Sequence, residues 1–275
     1  MNSSDFIMSN EMPIRLGFFF AVLLVMAVWE TLSPRRYLRT SRAIRWANNL
    51  GLVFFNSFIL RLIFPVAAVG VALFASSRGW GLFNYISAPF WLAVLVSVVV
   101  MDLFIWLQHV MVHAVPLLWR LHRVHHADLD IDVTTGARFH TLEILLSMLI
   151  KFAVILLLGP PVVAITVFEI VLNTTAMFNH SNVRLPTVLD RYLRLIIVTP
   201  DMHRVHHSIE DDEANSNFGF SLPWWDYLFG TYRAQPRAGH EAMIIGTRAF
   251  REGKWCSWLP GMLVMPFVSK VRKVV

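Results

Sequence analysis

Apolar residues are concentrated in long blocks separated by short polar stretches. Residues 12–29 form the first block, and 18 residues suffice to cross a hydrocarbon core of about 30 Å at 1.5 Å per residue. It lacks a basic leader and a small-residue cleavage site, so it reads as an anchor and not a removable signal. Residues 51–75 form a second block, interrupted by Arg61 and Pro65, and residues 89–107 a third. Residues 142–158 and 162–178 form a further block split by Gly159, Pro160 and Pro161. Each half has 17 residues, the short limit for spanning, which leaves two crossings and a re-entrant hairpin both open. The pattern predicts an all-α polytopic membrane protein with about four to five membrane helices.

Composition agrees. Aliphatic, aromatic, Met and Cys residues make up 56 %, and 13 glycines bring the apolar share to about 61 %. Soluble domains hold about 45–50 % on that count and about 25 % charged residues, against 15 % here. Disorder is excluded, and a soluble enzyme nearly so. The lone Cys256 excludes an internal disulfide and a cysteine-based zinc or iron–sulfur site. A net charge of +6 invites a nucleic-acid partner, but the basic residues sit where membrane topology puts them. Alternate crossings place 20 of the 24 Lys and Arg on one side, including Arg35, Arg36, Arg39, Arg42 and Arg45. That side is expected to be cytosolic, in a bacterial inner membrane or the endoplasmic reticulum. Trp255, Trp258 and residues 262–268 read as an interfacial segment, followed by basic Lys270, Arg272 and Lys273. Charges inside the spans need partners. Asp102 is expected to face the bundle, with Arg61 as a candidate partner. Lys151 and Glu169 stand nine residues either side of Pro160, so a tight turn brings them to one depth.

The chain has 11 histidines, ten of them between His109 and His207. They form three clusters: His109 with His113; His122 with His125 and His126; His203 with His206 and His207. Residues three and four apart share a helix face, so each cluster is expected to aim its rings at one point. Eight neutral imidazoles exceed what one four-coordinate zinc can use. They suit two metal ions with nitrogen preference, iron foremost. Two isolated histidines, His140 and His180, join them.

These residues and their surroundings resemble the sterol desaturase/fatty acid hydroxylase superfamily of integral-membrane, non-haem di-iron enzymes. The likeness runs over residues 102–232. It passes through residues 118–126, 138–143, 179–182 and 199–207, and closes on residues 217–219 and 225–231. Two positions depart from the family pattern: Val110 stands where Arg is usual and Thr141 where Pro is usual. The resemblance implies the eight box histidines as iron ligands and His180 as a ninth. His140 is left between ligation and a supporting role in which Glu143 orients its ring. Asp102, Asn217 and Asp226 are candidates for supporting or site contacts. His240 reads as exposed, Trp224 and Trp225 as interface markers, and residues 210–213 as a solvated acidic loop, with docking of a basic electron donor the lesser reading. Residues 1–275 are taken as one membrane-embedded unit with an interfacial tail from 233.

The implied activity is O2-dependent hydroxylation, or desaturation, of a lipid C–H bond by two iron ions. No dinucleotide or haem motif is visible, so electrons are expected from a separate ferredoxin, cytochrome or pterin system. Ether-lipid cleavage of the alkylglycerol monooxygenase type is the alternative chemistry. A metal transporter or sensor without catalysis is the alternative of another class.

Overall fold

The structure is a computed structural model describing residues 10–268. Lys270, Arg272 and Lys273 of the expected basic tail lie outside the described residues. Among those described, the secondary structure is helical, with two isolated β-bridges pairing Pro34 with Val183 and Ser208 with Ile245. Five segments of the described residues are long and apolar enough to cross a membrane: Glu11–Leu32, Arg42–Tyr85, Phe90–Ala114, Thr141–Leu158 and Val162–His180. Many large apolar side chains on them face outward, including Phe18, Leu24, Phe54, Phe58 and Trp91. In water that surface would be unaffordable; it is the lipid-facing surface of a multi-pass membrane protein.

Helix α1 (Glu11–Leu32) leads by a short connection into α2 (Arg42–Ile63), whose start is capped by the Ser41 hydroxyl. Proline cannot continue a helix, so α2 stops before Pro65 and the chain resumes as α3 (Ala68–Ser77). Helix α4 (Phe90–Ala114) has 25 residues and overruns its apolar block. His109 and His113 therefore stand on its last turns, on the same helix as Asp102. Val115 is extended ahead of Pro116, and that proline opens α5 (Pro116–His126). This break folds α5 back against α4. Both halves of the split block are full helices, α6 (Thr141–Leu158) and α7 (Val162–His180). Gly159 ends α6 in the left-handed conformation at φ 58°, which glycine adopts without strain. Helix α7 is the central one, packed against α1, α3 and α4.

The expected pairing of Lys151 with Glu169 is present at 2.8 Å, and Arg15 of α1 reaches the same carboxylate at 2.9 Å. Asp102 is buried as expected, but Arg61 is not its partner. Arg61 is exposed and lies 3.4 Å from the Met12 sulfur, while Asp102 accepts from Trp225 Nε1 at 2.8 Å.

A cap closes the end of the bundle where α1 finishes and α2 begins. Arg45 is fully buried in it, bonding Asp128 at 2.8 Å and Asp132 at 2.5 Å. Burial alone would raise the Asp128 carboxyl, but Arg45 and Arg138 outweigh it and hold that group below its ordinary value. Glu30 accepts from the Val133 and Asn182 amides at 3.1 Å, tying the cap loops to α1. The segment expected at the interface is partly core: Met262 and Met265 are buried with Leu52 and Val124, while Trp258 and Phe267 face outward. His240, read as exposed, is 5 % exposed and packed near Asp201.

Candidate metal centre

Nine histidines converge at the cap end in two adjoining groups. One holds His109, His113, His122, His126 and His206; the other holds His125, His180, His203 and His207. Within each group the ligand nitrogens lie within 4.8 Å of one another. Each three-histidine motif is divided between the groups, contrary to the expectation that it aims at one point. The reason is angular. Residues four apart on a helix differ by about 40°, whereas the one three along lies about 60° to the other side. His122 and His126 therefore face one group and His125 the other. On α8 (Pro200–His206) and its C-terminal flank, His203 and His207 pair while His206 crosses over. The groups touch, with the His126 and His207 rings stacked at 4.6 Å.

Neighbouring ring nitrogens approach closely: His109 to His122 at 3.2 Å, and His113 to His126, His125 to His180 and His180 to His203 at 3.1 Å. That is about the spacing of two nitrogens ~2.1 Å from a shared ion at roughly a right angle. The opposite ring nitrogens are anchored. Nδ1 of His109 donates to the Phe218 carbonyl at 2.7 Å, that of His180 to Ala176 at 2.7 Å, and that of His206 to Ser216 at 2.8 Å. His125 Nδ1 lies 3.2 Å from the Arg138 carbonyl, and His122 Nδ1 meets Glu143 Oε1 at 2.6 Å. A donating Nδ1 fixes the tautomer that leaves Nε2 a lone pair, as a metal ligand requires. Burial, followed by repulsion among the rings, pushes His122, His125, His126, His203, His206 and His207 well below their ordinary value. His206 Nε2, His203 Nδ1 and both nitrogens of His207 are buried without a hydrogen-bond partner. Orphaned neutral imidazoles in this number are costly unless an ion takes their lone pairs, so the donor set fits two nitrogen-bound metals.

The remaining candidates lie outside the two converging sets of histidines. His140 caps α6, its Nδ1 accepting from the Leu142 amide and its Nε2 donating to the Leu263 carbonyl, both at 3.2 Å. Glu143, one turn into α6, turns inward to His122 instead of to His140. The neighbour of His140 that reaches the site is Phe139, stacked on the His125 ring at 4.4 Å. Asp226 receives the Phe218 and Gly219 amides at 2.9 and 2.8 Å and Trp106 Nε1 at 3.0 Å. It thereby holds the Phe218 carbonyl over His109. Asn217, at φ 52°, clamps the same loop through Met202 and Arg233. Asp102 secures it from α4 through Trp225 and Leu222. Trp119 and Phe220, not singled out in the sequence, wall the rings. Trp119 lies within the 118–126 stretch and Phe220 directly follows 217–219, but neither carries a ligand atom that would have marked it. The acidic run is largely neutralised: Asp212 is paired with Arg233 and Arg237, and Glu210 with Arg248.

A cavity of about 310 Å³ runs from His109, His122 and Glu143 between the helices to Arg15, Lys151 and Glu169.

Helices built to span a membrane, with a buried histidine cluster at one end of a cavity, define a membrane metal-site protein. The fatty acid hydroxylase family model matches residues 94–231, and the chain belongs to that family. It is 30 % identical to the ornithine lipid hydroxylase OlsE of Rhizobium tropici over 187 residues, 68 % of this chain and 54 % of that protein. It is 29 % identical to the alkylglycerol monooxygenase of Homo sapiens over 132 residues, 46 % of this chain and 27 % of that protein. The Danio rerio alkylglycerol monooxygenase is 29 % identical over 159 residues, 56 % of this chain and 34 % of that protein. The chain thus spans about half the first relative's length and about a third or less of the others. No solved structure matches it significantly.

Proposed function

We propose that the protein is an O2-dependent lipid hydroxylase whose two histidine groups each hold one iron. The observation that carries this reading is the division of nine histidines, eight of them buried, into sets of five and four at one end of a cavity between the helices. Bound iron would supply what the side chains lack, the reductive activation of O2 for attack on an unactivated C–H bond. The chain itself positions. The cap carbonyls and Glu143 orient the rings, and Phe139, Phe218 and Phe220 keep water from them. His109 and His122 face the cavity, so a substrate lying in it presents its C–H bond to the metal end.

The histidine end is assigned to the cytosol on the bias of Lys and Arg, although the buried Arg45 is a structural cation before it is a topological one. Two electrons come from a separate donor. An ornithine lipid hydroxylase among the relatives favours hydroxylation of a polar-headed membrane lipid. Alkylglycerol monooxygenases among them keep ether-lipid cleavage as the second reading. A transporter needs ligands along a conduit, whereas both histidine groups lie at one end of the helices.

The test is turnover of purified, iron-loaded protein with a panel of acyl, ornithine-headed and alkylglycerol lipids under labelled O2, each with a ferredoxin system or a reduced pterin. Label in a hydroxylated lipid with ferredoxin supports the main reading. Aldehyde release with pterin supports the second, and no oxygen uptake with any lipid overturns both.

A further inference from the structure

The far end of the cavity carries charge where a hydrocarbon channel would carry none. Glu143, Ser147 and Lys151 follow one another a turn apart along α6, which puts Lys151 about 12 Å along the axis from the carboxylate at the metal end. On α7, Glu169 and Asn173 line the same wall. Glu169 is 3 % exposed, and its two oxygens meet Lys151 at 2.8 Å and Arg15 at 2.9 Å. Arg15 also bonds Glu11 at 2.5 Å. The result is an alternating row, Glu11, Arg15, Glu169, Lys151, with two charges of each sign.

The pair joins α6 to α7 and also lines the cavity that ends on His109 and His122, so it is open to a ligand lying there. Polar atoms also continue along the wall. Glu143 Oε2 and Gln108 Oε1 are buried, belong to cavity-lining residues, and have no hydrogen-bond partner. Such atoms are expensive in a dry site unless a ligand brings donors to them. A plain alkyl chain would bring no donor to them and would lay hydrocarbon against the charged row. A lone anion or lone cation would leave the row with net charge in a medium of low dielectric. A group carrying both signs keeps it neutral while exchanging partners with Lys151 and Glu169.

We propose that the cavity takes the head of a zwitterionic lipid, its anion on Lys151 and Arg15 and its cation on Glu169, so that this row selects the substrate and sets the distance from head to oxidised carbon. The proposal rests on the lipid-hydroxylase reading above. Its test is a binding measurement on the protein as purified, without reductant, so a failure of turnover and a failure of head recognition are separate results. Three single-chain ligands of equal chain length are titrated in neutral-lipid nanodiscs: an N-acyl diamino acid with free carboxylate and side-chain ammonium, its methyl ester, and a monoacylglycerol. The wild-type protein should prefer the zwitterion by about tenfold or more over both others. Lys151→Gln/Glu169→Gln, checked by thermal unfolding, should bring the three within about twofold by weakening the zwitterion alone. Arg15→Gln, at the more exposed rim and outside the inner pair, should narrow the preference over the methyl ester even if the double variant does not fold. Equal affinities in the wild type, a preference that survives substitution, or an equal loss for all three ligands would overturn the proposal.

Discussion

His140 and Glu143 sit three residues apart and have opposite roles. The His140 ring caps α6, so His140→Ala should leave the metal content unchanged and cost about 1 kcal/mol in thermal unfolding, the usual loss of a cap. Glu143 accepts from a ring that faces the site, and Glu143→Ala should lower metal affinity about 10–100-fold, read by competition with a chelator. A fall in metal content in the His140 variant but not in the Glu143 variant would reverse the assignment. The histidine motifs were legible in the sequence because 3.6-residue periodicity leaves a record in side-chain identity. The anchors of His109, His180 and His206 were not, because backbone carbonyls accept those bonds and any residue type supplies a carbonyl. Asp226 is an intermediate case. Its presence after the last motif was conspicuous, but its action on the Phe218 and Gly219 amides appears only once the loop is folded.

Among the helices, the membrane set was readable from apolar blocks, while their ends were not. Helices α4 and α7 continue beyond the apolar run because the cap buries their last polar turns, and this carries His109, His113 and His180 into the site. The α6–α7 hairpin followed from Gly159 and two prolines, and so did its ion pair. What the sequence could not supply was Arg15 from α1, which changes the mutational expectation. Lys151→Met leaves Glu169 with Arg15 and should cost less than the ~3–5 kcal/mol of a stranded buried charge. Glu169→Leu strands the Lys151 ammonium and should cost more, and removing both charges should restore part of the loss. Thermal unfolding of the three variants in detergent gives the order directly. Gly136 supplies a second element-scale test. A β-carbon there would lie 2.4 Å from the Ala176 carbonyl, the acceptor of His180 Nδ1. Gly136→Ala should destabilise by about 1–3 kcal/mol and weaken metal retention in the four-histidine group, measured as metal lost during dialysis.

For the molecule as a whole, the cap is a polar shell whose charges are paired or buried, and it confers acid sensitivity. Burial pushes His240 down to about 3, despite the nearby Asp201 carboxylate. Between there and the ordinary value near 6.5, the unfolded chain binds a proton that the folded one refuses. Stability from this residue is therefore complete above about pH 6.5 and falls as pH drops, by up to about 1.4 kcal/mol per unit. His240→Leu should flatten that slope in thermal unfolding between about pH 6.5 and 4, while an unchanged slope would place the sensitivity elsewhere. The larger claim is that this shell encloses two metals held by one five-histidine and one four-histidine set. It is tested most directly by metal analysis of protein purified from iron-supplemented cells without chelator. Two irons per chain are expected; a single tightly held zinc, or no metal with the fold intact, would contradict the account.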